Sequence, residues 1–190
     1  GKSIGYLIPA VRFAVETDNQ VVIATSNKNL QEQLIETEIP KVLNILGLES
    51  HTLSYIALKG QGNYLCGTKF QSMMSRTDLT TDEIQFMLRI NIWLTRTSAG
   101  DMGELYLNNA ERNFWNEMAV NPDDHKITCA LEKDNKCFVS IARSISKTSD
   151  MVVTNHALLI ADSKGDGGLF NESKHLIIDE AHNMSRIHIS

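Results

Sequence analysis

The sequence has no apolar run that approaches the ~20 residues needed to span a membrane. It also lacks the basic, apolar leader that directs secretion. These absences predict a cytoplasmic protein with no membrane partner. No internal repeat or low-complexity tract is present, and the 42% hydrophobic and 22% charged residues are ordinary for a globular chain.

Cysteine is scarce, with three residues, and a disulfide framework is not expected in a cytosolic protein. No large excess of one charge sign is present, because 18 Lys and Arg residues against 23 Asp and Glu residues give a net charge of −5. That charge does not indicate a polyanion-binding protein. It does not exclude one, since phosphate contacts need only a local basic groove.

The most informative segment that is present reads Leu-Ile-Ile-Asp-Glu-Ala-His and spans Leu176–His182. Its apolar start predicts a strand buried on both faces of a parallel sheet. Asp179 and Glu180 would then emerge at the carboxyl end of the strand, where open α/β sheets bind ligands. In a nucleotide hydrolase, one acid holds the magnesium shell and the next orients or deprotonates water. The simpler alternative is that both acids cap a following helix.

A second segment, Gly1-Lys2-Ser3, precedes the apolar helical pattern of Ile4–Glu16. Gly-Lys-Ser before a helix is typical of the end of a phosphate-binding loop. In that loop the lysine reaches the β- and γ-phosphates and the hydroxyl ligates magnesium. The pairing of this tripeptide with the acid pair predicts a nucleotide site. The upstream part of the loop is not in the chain, so we expect the sequence to be a fragment of a longer protein.

Strand and helix patterns alternate at both ends of the chain. Strands are predicted at Val21–Thr25, Thr52–Leu58, Met151–Thr154 and His175–Asp179, and helices at Ile4–Glu16, Asn29–Leu46 and His156–Ala161. Two prolines interrupt this pattern: Pro9 predicts a kink or an end in the first helix, and Pro40 a break in the second. Ser26 or Asn27 is expected to cap the second helix, and Gly47 to end it.

The middle of the chain predicts helices without strands. Thr81-Asp82 is expected to cap one that runs through Thr95, with an apolar face of Ile84, Met87, Leu88 and Ile92. Two others are predicted around Phe114, Trp115 and Met118, and at Phe138–Lys147. The predicted fold class is therefore α/β, a RecA-like parallel sheet interrupted by a helical insertion. Its parts are residues 1–65, 66–149 and 150–190.

The order and spacing of several motifs resemble superfamily-two DNA helicases of the DinG type, related to the XPD group. The matching segments are Gly1–Ser3, Ala24–Leu34, Lys59–Cys66, Gly100-Asp101 with Glu104-Leu105, Cys137 with Ala142-Arg143, Val152–Leu159 and Ile178–His182. The resemblance implies an ATP-dependent motor of two RecA-like domains that translocates on single-stranded DNA, typically 5′ to 3′, and unwinds forked duplexes. This chain would carry most of the first motor domain. Without the second motor domain, we expect the chain alone to be inactive in ATP hydrolysis.

The resemblance also implies roles for individual residues. Gly1, Lys2 and Ser3 would bind ATP, with Ser3 and Asp179 on Mg²⁺. Glu180 would position the hydrolytic water, and His182 would couple the nucleotide state to the second domain. Three residues would line the DNA path, namely Thr25, Asn29 and Gln31, although a solvated helix face is the alternative for Asn29 and Gln31. His156 is expected either near the motor core or simply packed in it.

The cysteines allow several interpretations. In the related family, four cysteines of the insertion commonly hold a 4Fe–4S cluster. Here Cys66, Cys129 and Cys137 leave one ligand missing. His125 could replace it in a cluster, or complete a Cys₃His zinc site. The third interpretation is a site that has lost its metal.

Two other functions compete with the helicase. One is an accessory or degenerate nucleic-acid-binding subunit, such as a CRISPR-associated DinG-like protein, without a functional cluster. The other is a small P-loop kinase or NTPase, in which the acid pair would follow the loop at shorter range. The intact Lys2, Ser3, Asp179 and Glu180 argue against the degenerate subunit.

Overall fold

The computed structural model describes residues 2–121, 137–164, 168–170 and 173–186. Contacts divide the chain into two units, Gly1–Lys59 with Arg143–Ser190, and Gly60–Ala142. The first unit is an α/β layer and the second is mainly helical. The assignment of residues 1–65, 66–149 and 150–190 to a motor domain and its insertion stays a prediction. In the described ranges, no helix combines the length and the apolar character of a bilayer span.

The first unit contains a four-stranded parallel sheet in the order β2-β3-β1-β4. Its strands are β1 (Val21–Thr25), β2 (Tyr55–Ala57), β3 (Met151–Asn155) and β4 (His175–Ile178). Its helices are α1 (Lys2–Thr17), α2 (Lys28–Gln33), a π-helical turn (Leu34–Glu38), α3 (Ile39–Ile45), the last part of α7 (Phe138–Thr148), α8 (His156–Lys164) and a 3₁₀ turn (Ala181–Arg186). The predicted α/β class with a parallel sheet is confirmed.

The core of this unit lies between helix α1 and the sheet. Leu7, Val11 and Ala14 of α1 pack with Val21 and Ile23 of β1, and all five are buried. Every residue of β1 is buried, as its β-branched run predicts for a central strand.

Strand β4 is an edge strand in the described part of the sheet, so the prediction that it is buried on both faces was wrong. Its partner is β1. Ile177 packs against the core, whereas Leu176 and Ile178 are 47% and 39% exposed. Alternate side chains of a strand point to opposite faces, and only the face toward α1 is covered here.

The two prolines act differently from each other. Helix α1 continues through Pro9 to Thr17, contrary to the predicted kink or end. Pro9 and Gly5 both face solvent, so water can satisfy the Gly5 carbonyl that loses its amide partner. Near Pro40 the α-helical pattern is interrupted by the π-helical turn Leu34–Glu38, but the backbone stays helical from α2 into α3, with Pro40 in the first turn of α3.

The limits of the second helical segment follow from its caps. The Asn27 side-chain oxygen accepts a hydrogen bond from the Leu30 amide at 3.0 Å, and this bond begins α2. Gly47 adopts φ +68° just after α3, which is the left-handed conformation that ends helices.

The second unit packs α4 (Gly67–Met74), α5 (Thr81–Leu94), α6 (Asn109–Met118) and the start of α7, with 3₁₀ turns at Gln61–Asn63 and Met102–Glu104. Its core surrounds Trp115, which has no exposed surface. Helix α5 begins one residue earlier than predicted, because Thr80 and Glu83 form a capping box.

The predicted apolar face of α5 was largely wrong. Phe86, Met87 and Ile90 are the buried residues, and Phe86 lies 5.9 Å from the ring of Phe114. Three predicted core residues are exposed, namely Ile84 at 46%, Leu88 at 57% and Ile92 at 59%. The helix therefore carries two apolar stripes. The stripe that contains Phe86 is the buried one, because its aromatic ring packs against α6.

Candidate nucleotide site

Lys2 and the acid pair meet in space although 178 residues separate Lys2 from Glu180. Lys2 Nζ donates to Glu180 Oε1 at 2.5 Å and lies 3.8 Å from Asp179 Oδ1. Lys2 begins helix α1, and the acids directly follow β4. The structure therefore brings three predicted ATP-site residues together at the carboxyl edge of the sheet, where open α/β folds bind ligands.

The backbone at the acid pair is fixed by the sheet and then turns sharply. The Asp179 amide donates to the Ala24 carbonyl at 2.9 Å, which extends the pairing with β1 one residue beyond β4. Glu180 adopts φ +54°, a left-handed conformation that is uncommon for a residue with a side chain. The 3₁₀ turn Ala181–Arg186 begins immediately afterwards, so the acids lie in a turn and do not cap an α-helix.

Two further side chains contact Asp179. The Tyr6 hydroxyl donates to Asp179 Oδ2 at 3.1 Å, and the buried His156 Nε2 lies 2.8 Å from the Asp179 carbonyl oxygen. Burial, followed by the nearby Asp179 charge, raises the pKa of Tyr6. Sequence reasoning missed Tyr6. Its one available signal was the spacing of four residues from Lys2, which places both on the same face of α1.

Lys2 and Glu180 stabilise each other's charged forms. The hydrogen bond to Glu180 raises the pKa of Lys2, and the same bond lowers the pKa of Glu180. His182 Nε2 lies 3.3 Å from Glu180 Oε2 on the other side of the carboxylate. The Lys2 side chain is 70% exposed, so an incoming anion can compete with Glu180 for its ammonium group.

The side chains fit a magnesium ion that is shared with a nucleotide. Mg²⁺ typically takes one or two protein carboxylates together with waters and substrate phosphates. The Asp179 side chain is 10% exposed and held in place, and partly buried Ser3 lies in the first turn of α1 beside Lys2. In the part of the chain that the structure describes, no group of three or more His, Cys, Asp and Glu side chains could hold a metal. Binding here would therefore depend on the phosphates. Gly1, also predicted to bind ATP, lies outside the described residues.

Of the three residues predicted to line the DNA path, the structure leaves one on the surface. Asn29 is exposed on α2. Thr25 and Gln31 have no exposed surface. The Gln31 amide nitrogen donates to the carbonyls of Leu58 and Val153 at 3.0 and 2.7 Å, so this side chain joins α2 to the sheet. In this conformation neither buried side chain can contact DNA.

The predicted metal ligands of the second unit are partly described. Cys66 is half-buried before α4, and Cys137 is buried before α7; neither forms a disulfide. Cys129 and His125 lie outside the described residues. A cluster with four thiolate ligands does not fit this chain, because the whole sequence has three cysteines.

Comparison with known proteins gives a consistent family. No protein-family model matches the chain. It is 34% identical to the "3′-5′ exonuclease DinG" of Bacillus subtilis over 186 residues, which are 98% of this chain and 19% of that protein. It is 31% identical over 194 residues to the "ATP-dependent DNA helicase YoaA" of Escherichia coli, covering 98% of this chain and 29% of the relative. The chain belongs to the DinG family.

A third DinG relative supports the same grouping. The "ATP-dependent helicase DinG" of Mycobacterium tuberculosis (strain H37Ra) is 29% identical over 200 residues, which are 97% of this chain. The chain spans 19–30% of the length of these three relatives. The family assignment therefore rests on almost all of this chain, and the matched region is a minor part of each DinG relative.

Proposed function

We propose that this chain is part of the first motor domain of an ATP-dependent DNA helicase of the DinG type, with the 60–142 unit as its insertion. The observation that carries the proposal is the contact of Lys2 with Asp179 and Glu180 at one edge of a parallel sheet. The names of the DinG and YoaA relatives support ATP-dependent helicase activity over the other nucleotide hydrolases. The degenerate accessory subunit is not favoured, because the lysine and both acids are present and in contact.

Bound ATP would supply the phosphoryl group whose transfer to water drives the motor, and its magnesium ion would neutralise charge on the phosphates. Lys2 would leave Glu180 and bind the β- and γ-phosphates, which offer it more negative charge. Release of Lys2 would free the Glu180 carboxylate to orient the attacking water or accept its proton. Asp179 and Ser3 would hold the magnesium ion. His182, which contacts Glu180, would pass the state of that carboxylate to the second motor domain.

The partners proposed for the complete polypeptide are single-stranded DNA, forked duplexes and the second motor domain of the same polypeptide, with 5′ to 3′ translocation. Asn29 supports a DNA path beyond the carboxyl end of β1, because its polar side chain is exposed there. Short polar side chains contact phosphates without reading sequence. The word "exonuclease" in the name of the Bacillus subtilis relative describes that protein, of which the matched region is 19%.

We predict that the isolated 190-residue chain does not hydrolyse ATP appreciably, with or without single-stranded DNA. The physical reason is that its ATP site would lack the charged groups of the second motor domain, and an arginine finger is worth about 10³–10⁵ in turnover. Phosphate release should be measured at saturating Mg·ATP with added oligonucleotide. Turnover within tenfold of that of the complete polypeptide would contradict the proposal that the second motor domain completes the ATP site.

We also predict that the 60–142 unit holds no 4Fe–4S cluster in the purified protein. Three thiolates leave the fourth iron of such a cluster without a cysteine ligand. Anaerobically purified protein should show no absorption band near ~400 nm, and iron, sulfide and zinc should all be well below one equivalent per chain. Stoichiometric iron and sulfide would establish a cluster with a substitute ligand, and stoichiometric zinc would establish a Cys₃His site.

A further inference from the structure

Three polar groups of Asp179 are held by neighbours from three other elements. Its amide donates to Ala24 of β1 at 2.9 Å, and its carbonyl oxygen lies 2.8 Å from His156 Nε2 at the start of α8. Its carboxylate oxygen Oδ2 accepts from Tyr6 of α1 at 3.1 Å. The second carboxylate oxygen, Oδ1, faces Lys2 Nζ at 3.8 Å. The carboxylate is thus restrained on one side and left accessible on the side of Lys2.

The His156 ring has no exposed surface. A carbonyl oxygen only accepts, so Nε2 carries the hydrogen in its bond to Asp179. The other ring nitrogen, Nδ1, is buried without a hydrogen-bond partner among the described residues. Burying a polar ring with an unsatisfied nitrogen is unfavourable, and an apolar side chain would fill the same space without that cost. The advantage of a histidine over an apolar residue at this position is therefore its hydrogen bond to Asp179.

The residue after Asp179 needs such restraint. Glu180 adopts φ +54°, and a residue with a side chain keeps that conformation only where its surroundings impose it. The His156 hydrogen bond fixes the carbonyl of the peptide that joins Asp179 to Glu180. It therefore sets the direction in which the chain enters the left-handed turn that brings Glu180 to Lys2.

We infer that Tyr6 and His156 are positioning residues of the nucleotide site, Tyr6 by orienting the Asp179 carboxylate and His156 by fixing the Asp179–Glu180 peptide. The inference rests on the proposed function, because it assigns to Asp179 the magnesium and to Glu180 the attacking water. Residues that orient metal ligands typically change metal affinity or activity by about 10–100-fold when they are removed.

Tyr6→Phe in the complete polypeptide tests the first half, since it removes only the hydroxyl. The affinity for a fluorescent N-methylanthraniloyl ATP should be unchanged in EDTA, while the Mg²⁺ concentration needed for half-maximal binding rises about tenfold. Tyr55→Phe, which removes a hydroxyl from β2 in the same unit, is the matched control and should behave as wild type. Equal Mg²⁺ titrations for wild type and Tyr6→Phe would overturn the role of Tyr6.

His156→Leu and His156→Gln test the second half, because the glutamine amide can donate from nearly the position of Nε2 and leucine cannot. We expect kcat to fall about tenfold or more in His156→Leu with KM for ATP within about threefold, and to recover to within about threefold of wild type in His156→Gln. Equal loss in both variants, at unchanged melting temperature, would overturn the role of His156. If His156→Leu does not fold, the comparison of His156→Gln with wild type carries the test, and a kcat reduced about tenfold or more overturns the role.

A Lys2→Ala variant separates these outcomes from failure of the proposed function. If Lys2→Ala binds the fluorescent ATP as wild type does, the nucleotide site itself is misassigned. If Lys2→Ala loses binding while the Tyr6 and His156 variants match wild type, only the positioning roles fail.

Discussion

Replacing Lys2 by alanine is expected to abolish ATP-driven unwinding by the complete polypeptide and to lower ATP turnover by at least about a hundredfold. The ammonium group is the one cation that the structure shows in contact with both acids among the described residues. In the variant, Glu180 would lose its ion-pair partner and the β- and γ-phosphates would lose the ammonium group of α1, so nucleotide affinity should fall together with turnover. Strand displacement of a forked substrate and phosphate release measure both effects.

The matched control for this variant is Lys41→Ala. Lys41 is exposed on α3, and its replacement by alanine removes the same charge from the same unit. It should retain unwinding and ATP turnover within about twofold of wild type, because surface substitutions away from special sites have small effects. Unwinding by Lys2→Ala at the wild-type rate would show that Lys2 has no role in the ATP site.

Glu180→Gln should separate binding from hydrolysis. The substitution keeps the size of the side chain but removes the carboxylate that would position or deprotonate water, and general-base removal typically costs about 10²–10⁴ in turnover. It also weakens the hold of residue 180 on Lys2, whose bond with Glu180 is 2.5 Å long. Lys2 is then more available to the phosphates, so ATP affinity should be equal to or tighter than wild type while unwinding is lost.

Glu36→Gln is the corresponding control, since Glu36 is an exposed acid in the π-helical turn. It should leave both ATP affinity and turnover unchanged. Nucleotide binding can be followed with the fluorescent analogue and turnover by phosphate release on the same samples. A Glu180→Gln protein that hydrolyses ATP at the wild-type rate would exclude Glu180 as the residue that activates water.

The sequence predicted the local elements well where the physical signal was strong. Val21–Thr25 is a continuous β-branched run and forms the buried central strand β1. The apolar run of β4 carries the same signal, but sequence does not show which strand lies at the edge, and Leu176 and Ile178 are exposed. The two apolar stripes of α5 were ambiguous for a similar reason, because the neighbouring helix decides which of them is buried.

In the site, too, some residues could be predicted from the sequence and others could not. The juxtaposition of Lys2 with Asp179 and Glu180 could be proposed from motifs, because each motif has its own chemical signature. The contacts of Tyr6 and His156 with Asp179 had no such signature and depend on tertiary packing. Gln31 shows the reverse case. The resemblance implied a contact with DNA, and the alternative was a solvated helix face, yet its amide donates to two carbonyls inside the fold.

The most direct test is a crystal structure of the complete polypeptide with a non-hydrolysable ATP analogue and Mg²⁺. We expect Lys2 Nζ to have left Glu180 and to lie about 3 Å from a β- or γ-phosphate oxygen, with the metal between Ser3 and Asp179. A triphosphate bound elsewhere, with the Lys2–Glu180 ion pair still closed, would contradict a nucleotide site at this edge of the sheet.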